Sequence, residues 1–63
     1  MRRGRNGCVL GVEDEERVAS SVVRAASRHA LAFRAASLQE GLAVFRVPGR
    51  NWIAAIVDVG LPD

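Results

Sequence analysis

Apolar and polar residues fall into blocks along this chain, and the blocks differ in period. Cys8 to Val12, CVLGV, is an unbroken apolar run of strand length ahead of a charged cluster. A parallel strand buried on both faces reads this way, although Gly11 weakens the pattern slightly. Asp14 is then placed as a helix N-cap, with Glu15 and Glu16 in the first turn, where the helix dipole favours negative charge. Val18, Val22, Ala25 and Ala26 recur at i, i+4, i+7 and i+8, an apolar stripe on a helix that reaches about Arg28.

Ala30 to Ala36, ALAFRAA, is short and apolar apart from Arg34, which predicts a second strand. Ser37 and Glu40 form the S-x-x-E capping box of a second helix, from Leu38 to about Arg46, which Pro48-Gly49 breaks. Trp52 to Val57, WIAAIV, is apolar throughout, as a central strand covered on both faces would be. The order is strand, helix, strand, helix, strand, and such alternation implies parallel strands joined by right-handed crossovers.

Composition narrows the possibilities. At 63 residues there is room for one domain, and a chain this short buries only about 60% of its unfolded surface, so its stability is marginal without a partner. A lone cysteine, Cys8, excludes an internal disulfide and a cysteine-based zinc site, and suits a reducing cytoplasm. The net charge of +2 rests on Arg2, Arg3 and Arg5 in a basic tail over residues 1–7. Without that tail the chain is close to neutral, so no basic face for nucleic acid is indicated. No apolar run is long enough to span a membrane. All nine basic residues are arginine; the chain has no Lys, no Thr and no Tyr.

The chemistry lies in the carboxylates. In a parallel sheet all strands point one way, so Glu13 and Asp14 after the first strand and Asp58 after the third emerge on one edge. Open α/β sheets bind their ligands at that edge. Three converging negative charges call for a cation, and oxygen-only ligands suit a hard ion such as Mg²⁺. A carboxylate beside Mg²⁺ is also a competent nucleophile toward phosphorus. Each feature alone has a plainer reading: EDEE is a dipole-favoured helix start, and a lone Asp after a strand is a turn residue.

With these residues in place, the chain resembles the receiver domain of bacterial two-component response regulators. The matching segments are VLGVEDE at Val9–Glu15, RAASLQEGL at Arg34–Leu42 and AIVDVGLPD at Ala55–Asp63. The resemblance implies a partial flavodoxin-like fold: an α/β unit with a three-stranded parallel sheet in spatial order 2-1-3 and one helix on each face. It makes Asp58 the phosphoacceptor, taking a phosphoryl group from a sensor histidine kinase or a phosphotransfer protein. Glu13 and Asp14 become the acidic pair that holds Mg²⁺ together with Asp58, Gly60 lends its backbone carbonyl to the metal, and Pro62 shapes the adjoining loop. Such a module receives a phosphoryl group and is not an enzyme in its own right.

The chain departs from the family in what it lacks. Receiver domains continue for about as many residues again and carry a Ser or Thr hydroxyl and a Lys on later strands. On this reading residues 8–63 are a truncated, N-terminal half, with phosphotransfer impaired by the loss of the Lys contact and with an open sheet edge. The alternative is a non-signalling relic, or a small interaction protein that completes its sheet with another chain, a homo-oligomer included. Among the remaining residues, Phe33 and Phe45 are core candidates and Trp52 covers the edge of the third strand. His29 reads as a helix-end residue and Cys8 as a small buried apolar one.

Overall fold

The computed structural model describes residues 7–61. The basic tail (bar Gly7) and Pro62 lie outside the described residues. Five elements follow in the order β1 (Cys8–Val12), α1 (Glu16–Ala26), β2 (Leu31–Ala35), α2 (Leu38–Phe45) and β3 (Trp52–Val57). They form an α/β unit whose three strands are parallel and ordered β2-β1-β3. That is the order of the first three strands of a flavodoxin-like sheet.

The register places Leu10 opposite Phe33 and Ala55, and Val12 opposite Ala35 and Val57. These residues share the face under α2, because side chains alternate along a strand. Leu10, Val12 and Ala35 are buried there, with Phe33, Val44, Trp52 and Leu61 packed against them. Gly11 and Arg34 occupy the opposite face under α1. The ion pair between Arg34 and Glu16 of α1, 3.2 Å, spans that face.

Two glycines bring the helices close to the central strand. A Cβ on Gly41 of α2 would stand 3.0 Å from Val12 Cγ2, and one on Gly11 of β1 would stand 3.3 Å from Val22 Cγ1 of α1. Both contacts are tighter than ordinary carbon–carbon approach. Every residue of β1 is buried, as a strand covered on both faces must be.

Several boundaries differ from the sequence expectation. Glu15, not Asp14, caps α1, its carboxylate accepting from Val18 N–H at 3.2 Å. The reason is that Glu13 N–H still reaches Ala35 C=O at 2.9 Å, so the chain leaves the sheet later than the charge pattern suggests. The helix ends at Ala26 with Ser27 as C-cap, leaving Arg28 and His29 in the following turn. The second strand is two residues shorter than its apolar run, and α2 stops at Phe45 with Arg46 as C-cap.

The stripe that faces the sheet is Ala19, Val22, Val23 and Ala26, whereas Val18 and Ala25 are exposed. Seating Val22 against Gly11 with small Ala19 and Ala26 beside it turns the helix by about one position. The capping of α2 follows the expected box in part. Ser37 Oγ accepts from Glu40 N–H at 3.1 Å, and Glu40 Oε1 reaches back to Ala36 N–H rather than to the cap residue's own amide.

The larger correction concerns the coverage of β3. It takes the edge position that the order 2-1-3 gives it, but its apolar run reads as covered on both faces, and it is not. Ile53 is 60% exposed, Ile56 50% and Val57 45%. The helices lie over β1 and β2, and no fourth strand follows β3 among the described residues. Phe45, a core candidate by sequence, is half exposed for the same reason. Trp52 is half-buried and ties the edge to α2: its indole N–H donates to Phe45 C=O at 3.1 Å, and its ring lies 5.4 Å from Phe33 and 5.8 Å from Phe45. Arg50 closes this aromatic group, with its guanidinium 4.2 Å from the Phe33 ring centre and a hydrogen bond to Val44 C=O.

Candidate functional site

The C-terminal edge of the sheet is built from the ends of β1 and β3, which are fastened to each other. Asp58 N–H donates to Val12 C=O at 3.0 Å, and Glu13 N–H is held by Ala35 at the end of β2. The first residues beyond β1 and β3 are therefore carried on paired backbone rather than on free loops.

That framework brings three of the expected residues together. One carboxylate oxygen from each of Glu13, Asp14 and Asp58 lies within 4.8 Å of the others. Glu13 and Asp58 are half-buried and Asp14 is exposed. Among the described residues the ion pair of Arg34 goes to Glu16, and none of the three clustered acids pairs with an arginine.

Each acid has a different local tie. Glu13 Oε2 accepts from Glu15 N–H at 3.1 Å, at the start of α1. Asp58 Oδ1 accepts from Gly60 N–H at 3.0 Å, and Leu61 N–H reaches Asp58 C=O at 3.4 Å. The Asp58–Gly60 contact is an Asx-turn, in which an Asp side chain replaces a backbone acceptor two residues on. Beside the carbonyl role that the resemblance implies for Gly60, its amide orients the Asp58 carboxylate. The D-x-G spacing carried that signal.

The donor set fits a small hard cation in type and nearly in size. Mg²⁺ takes oxygen ligands at about 2.0–2.1 Å, so opposite ligands stand about 4.2 Å apart. The three oxygens all lie within 4.8 Å of one another, so side-chain rotation or a retained water brings them to such a spacing, and Mg²⁺ usually keeps several waters. Exposed acidic clusters also occur without a metal, so the cluster alone does not specify one.

Below the acids, on the α2 face, runs an apolar groove of about 250 Å³ lined by Leu10, Val12, Leu42, Phe45, Ala55 and Val57 among others. It lies where α2 stops short of covering β3. Val59, next to Asp58, is fully exposed. No described helix is long and apolar enough to cross a membrane.

Comparison with family models, with curated proteins and with solved structures finds no match for this chain.

Proposed function

We propose that this chain is a receiver-type phosphoacceptor module of a two-component phosphorelay, with Asp58 as the residue that takes the phosphoryl group. The observation that supports the reading is the gathering of Glu13, Asp14 and Asp58 within 4.8 Å at the C-terminal end of a parallel sheet ordered 2-1-3. The resemblance of the segments around those acids to receiver domains points the same way.

In this reading an oxygen of Asp58 attacks the phosphorus of a phosphohistidine on a sensor kinase or phosphotransfer protein. The bond from phosphorus to the Asp58 oxygen forms as the phosphorus–nitrogen bond breaks, and the imidazole leaves with the electron pair. Gly60 N–H holds the Asp58 carboxylate in one orientation during the approach. Glu13, Asp14 and Asp58 would hold Mg²⁺, with the backbone of Gly60 beside them. The bound ion supplies charge neutralisation and alignment of the phosphoryl oxygens. The exchange is stoichiometric acceptance rather than turnover, and the lone thiol suits a cytoplasmic setting.

The 63 residues contain no Lys, so the phosphoryl oxygens gain no lysine contact from them. Such preorganised charge contacts contribute roughly 3–4 kcal/mol to comparable transition states, and transfer to Asp58 is correspondingly slow.

The test is incubation with acetyl phosphate and Mg²⁺, followed by peptide mass spectrometry. The expected result is one phosphoryl group on Asp58, lost in Asp58→Asn and on chelation of the metal. No label, or label at another residue, overturns the proposal. A second reading, a module that completes its sheet with another chain, is favoured by the exposure of β3.

A further inference from the structure

Charge is divided between the two ends of the sheet. The strands are parallel, so all three begin at one edge and finish at the other. Every acid among the described residues lies at the C-terminal edge. Glu13, Asp14 and Glu15 join β1 to α1, Glu16 and Glu40 stand in the first turns of the helices, and Asp58 follows β3. Arg17 and Arg34 share that edge, where Arg34 pairs with Glu16.

The other four described arginines lie at the opposite edge, where no described acid stands. The strand starts are fastened together there: Leu31 N–H donates to Gly7 C=O at 2.9 Å, and Cys8 N–H to Asn51 C=O at 2.8 Å. Both helices run back to this edge. Arg24 is in the last turn of α1 and Arg28 in the turn beyond it, whereas Arg46 caps α2 and Arg50 leads into β3. Arg24, Arg28 and Arg46 are exposed and form no ion pair among the described residues. The two helix C-termini offset only about one unit of this charge. The near-neutral total of residues 7–61 is therefore the sum of two ends of opposite sign.

The arrangement also selects the kind of anion. α1 and α2 are seated on opposite faces of β1, against Gly11 and Val12, so their arginines flank the strand starts on both sides instead of lining a groove. Leu31 and Ile53, at the starts of β2 and β3, are 47% and 60% exposed, and Val47 in the turn after α2 is 42% exposed. Single-stranded nucleic acid is held by a basic groove with open aromatic faces. Here Phe33, Phe45 and Trp52 pack on one another, and Arg50 packs on Phe33. Arginines placed around exposed aliphatic side chains suit a bilayer interface, where apolar groups reach the acyl boundary and basic groups stay at the phosphates.

We infer that the N-terminal edge of the sheet is a peripheral docking surface for an anionic phospholipid membrane. Arg24, Arg28, Arg46 and Arg50 meet the headgroups, and Leu31, Val47 and Ile53 meet the apolar boundary. The acidic edge then faces away from lipid of its own charge. Each arginine at an anionic surface contributes about a fivefold gain in binding, so three contribute about a hundredfold.

The experiment is co-sedimentation of the full chain with vesicles of phosphatidylcholine and phosphatidylserine at about 7:3, in about 0.1 M NaCl. The wild type is expected to bind these vesicles and to be released by pure phosphatidylcholine or about 0.5 M NaCl. The triple variant Arg24→Gln, Arg28→Gln, Arg46→Gln, verified as folded by circular dichroism, is expected to bind about a hundredfold more weakly. Arg17→Gln, at the acidic edge, is expected to bind as the wild type does. Leu31→Ser with Val47→Ser is expected to bind about fivefold more weakly.

A wild type that ignores the anionic vesicles overturns the inference. So does a triple variant that still binds fully, since Arg2, Arg3 and Arg5, which precede Gly7 in the chain, would then account for the binding. Unchanged binding by the serine variant, or tighter capture by oligothymidylate at equal phosphate concentration, would mean attraction to charge alone and overturns the assignment to a membrane. None of these results depends on phosphorylation of Asp58.

Discussion

Gly41 sets how closely α2 approaches the central strand, and replacing it with alanine has a calculable outcome. Two effects compete. An interior helical glycine costs about 1 kcal/mol relative to alanine, so Gly41→Ala gains about that much from helix propensity. Against this, the new methyl would meet Val12 Cγ2 at 3.0 Å, with Ala35 Cβ at 3.7 Å behind it. Relief needs a shift of a few tenths of an ångström, to ordinary van der Waals contact. Val12 is 3% exposed and sits on the central strand. Its β-branched side chain has little χ1 freedom with which to yield. Overpacking of this kind costs about 1–3 kcal/mol.

The net expectation is a loss of about 1 kcal/mol, which in a domain of this size lowers Tm by about 4–8 °C. Val12→Ala removes the obstructing methyls, so in that background Gly41→Ala should become stabilising by about 1 kcal/mol. The double-mutant coupling is then about 2 kcal/mol. Urea unfolding followed by Trp52 fluorescence suits the question, because Trp52 stacks on Phe45 of α2 and reports its docking. All variants are compared at one protein concentration, since self-association adds to apparent stability. If Gly41→Ala is more stable than the wild type with Val12 intact, the close-approach reasoning is wrong.

Two further outcomes follow from the same structure. If the three acids share a cation, Mg²⁺ at about ten times its dissociation constant should add about 1.4 kcal/mol and raise Tm by roughly 6–11 °C. Asp14→Asn and Asp58→Asn should each reduce that rise, and an equal rise in the variants would mean that the ion binds elsewhere. Ser37→Ala removes the cap on α2, whose Oγ accepts from Glu40 N–H, and should cost about 1 kcal/mol by thermal unfolding. No loss would mean that the bond back to Ala36 alone holds the helix start.

The amino-acid sequence by itself determined the element types and their order, because the signals for them are local. An S-x-x-E box, a Pro-Gly break and uninterrupted apolar runs act over a few residues, and α2 and β3 begin where those signals place them. Alternation of strands and helices then restricted the sheet to parallel pairing. The candidate acids were legible for the same reason, since residues just beyond parallel strands share an edge wherever those strands are neighbours.

Tertiary structure decided the rest. Asp14 reads as the cap of α1, but the cap is Glu15, because the ladder bond from Glu13 N–H to Ala35 C=O extends the sheet by one residue. Val18 and Ala25 belong to an apolar stripe, but the seat of Val22 against Gly11 rotated the buried face past them. WIAAIV reads as a strand covered on both faces, and it is largely exposed because burial depends on neighbours that an apolar run cannot specify. Hydrophobicity encodes a preference to leave water, whereas coverage is a property of the assembled layers.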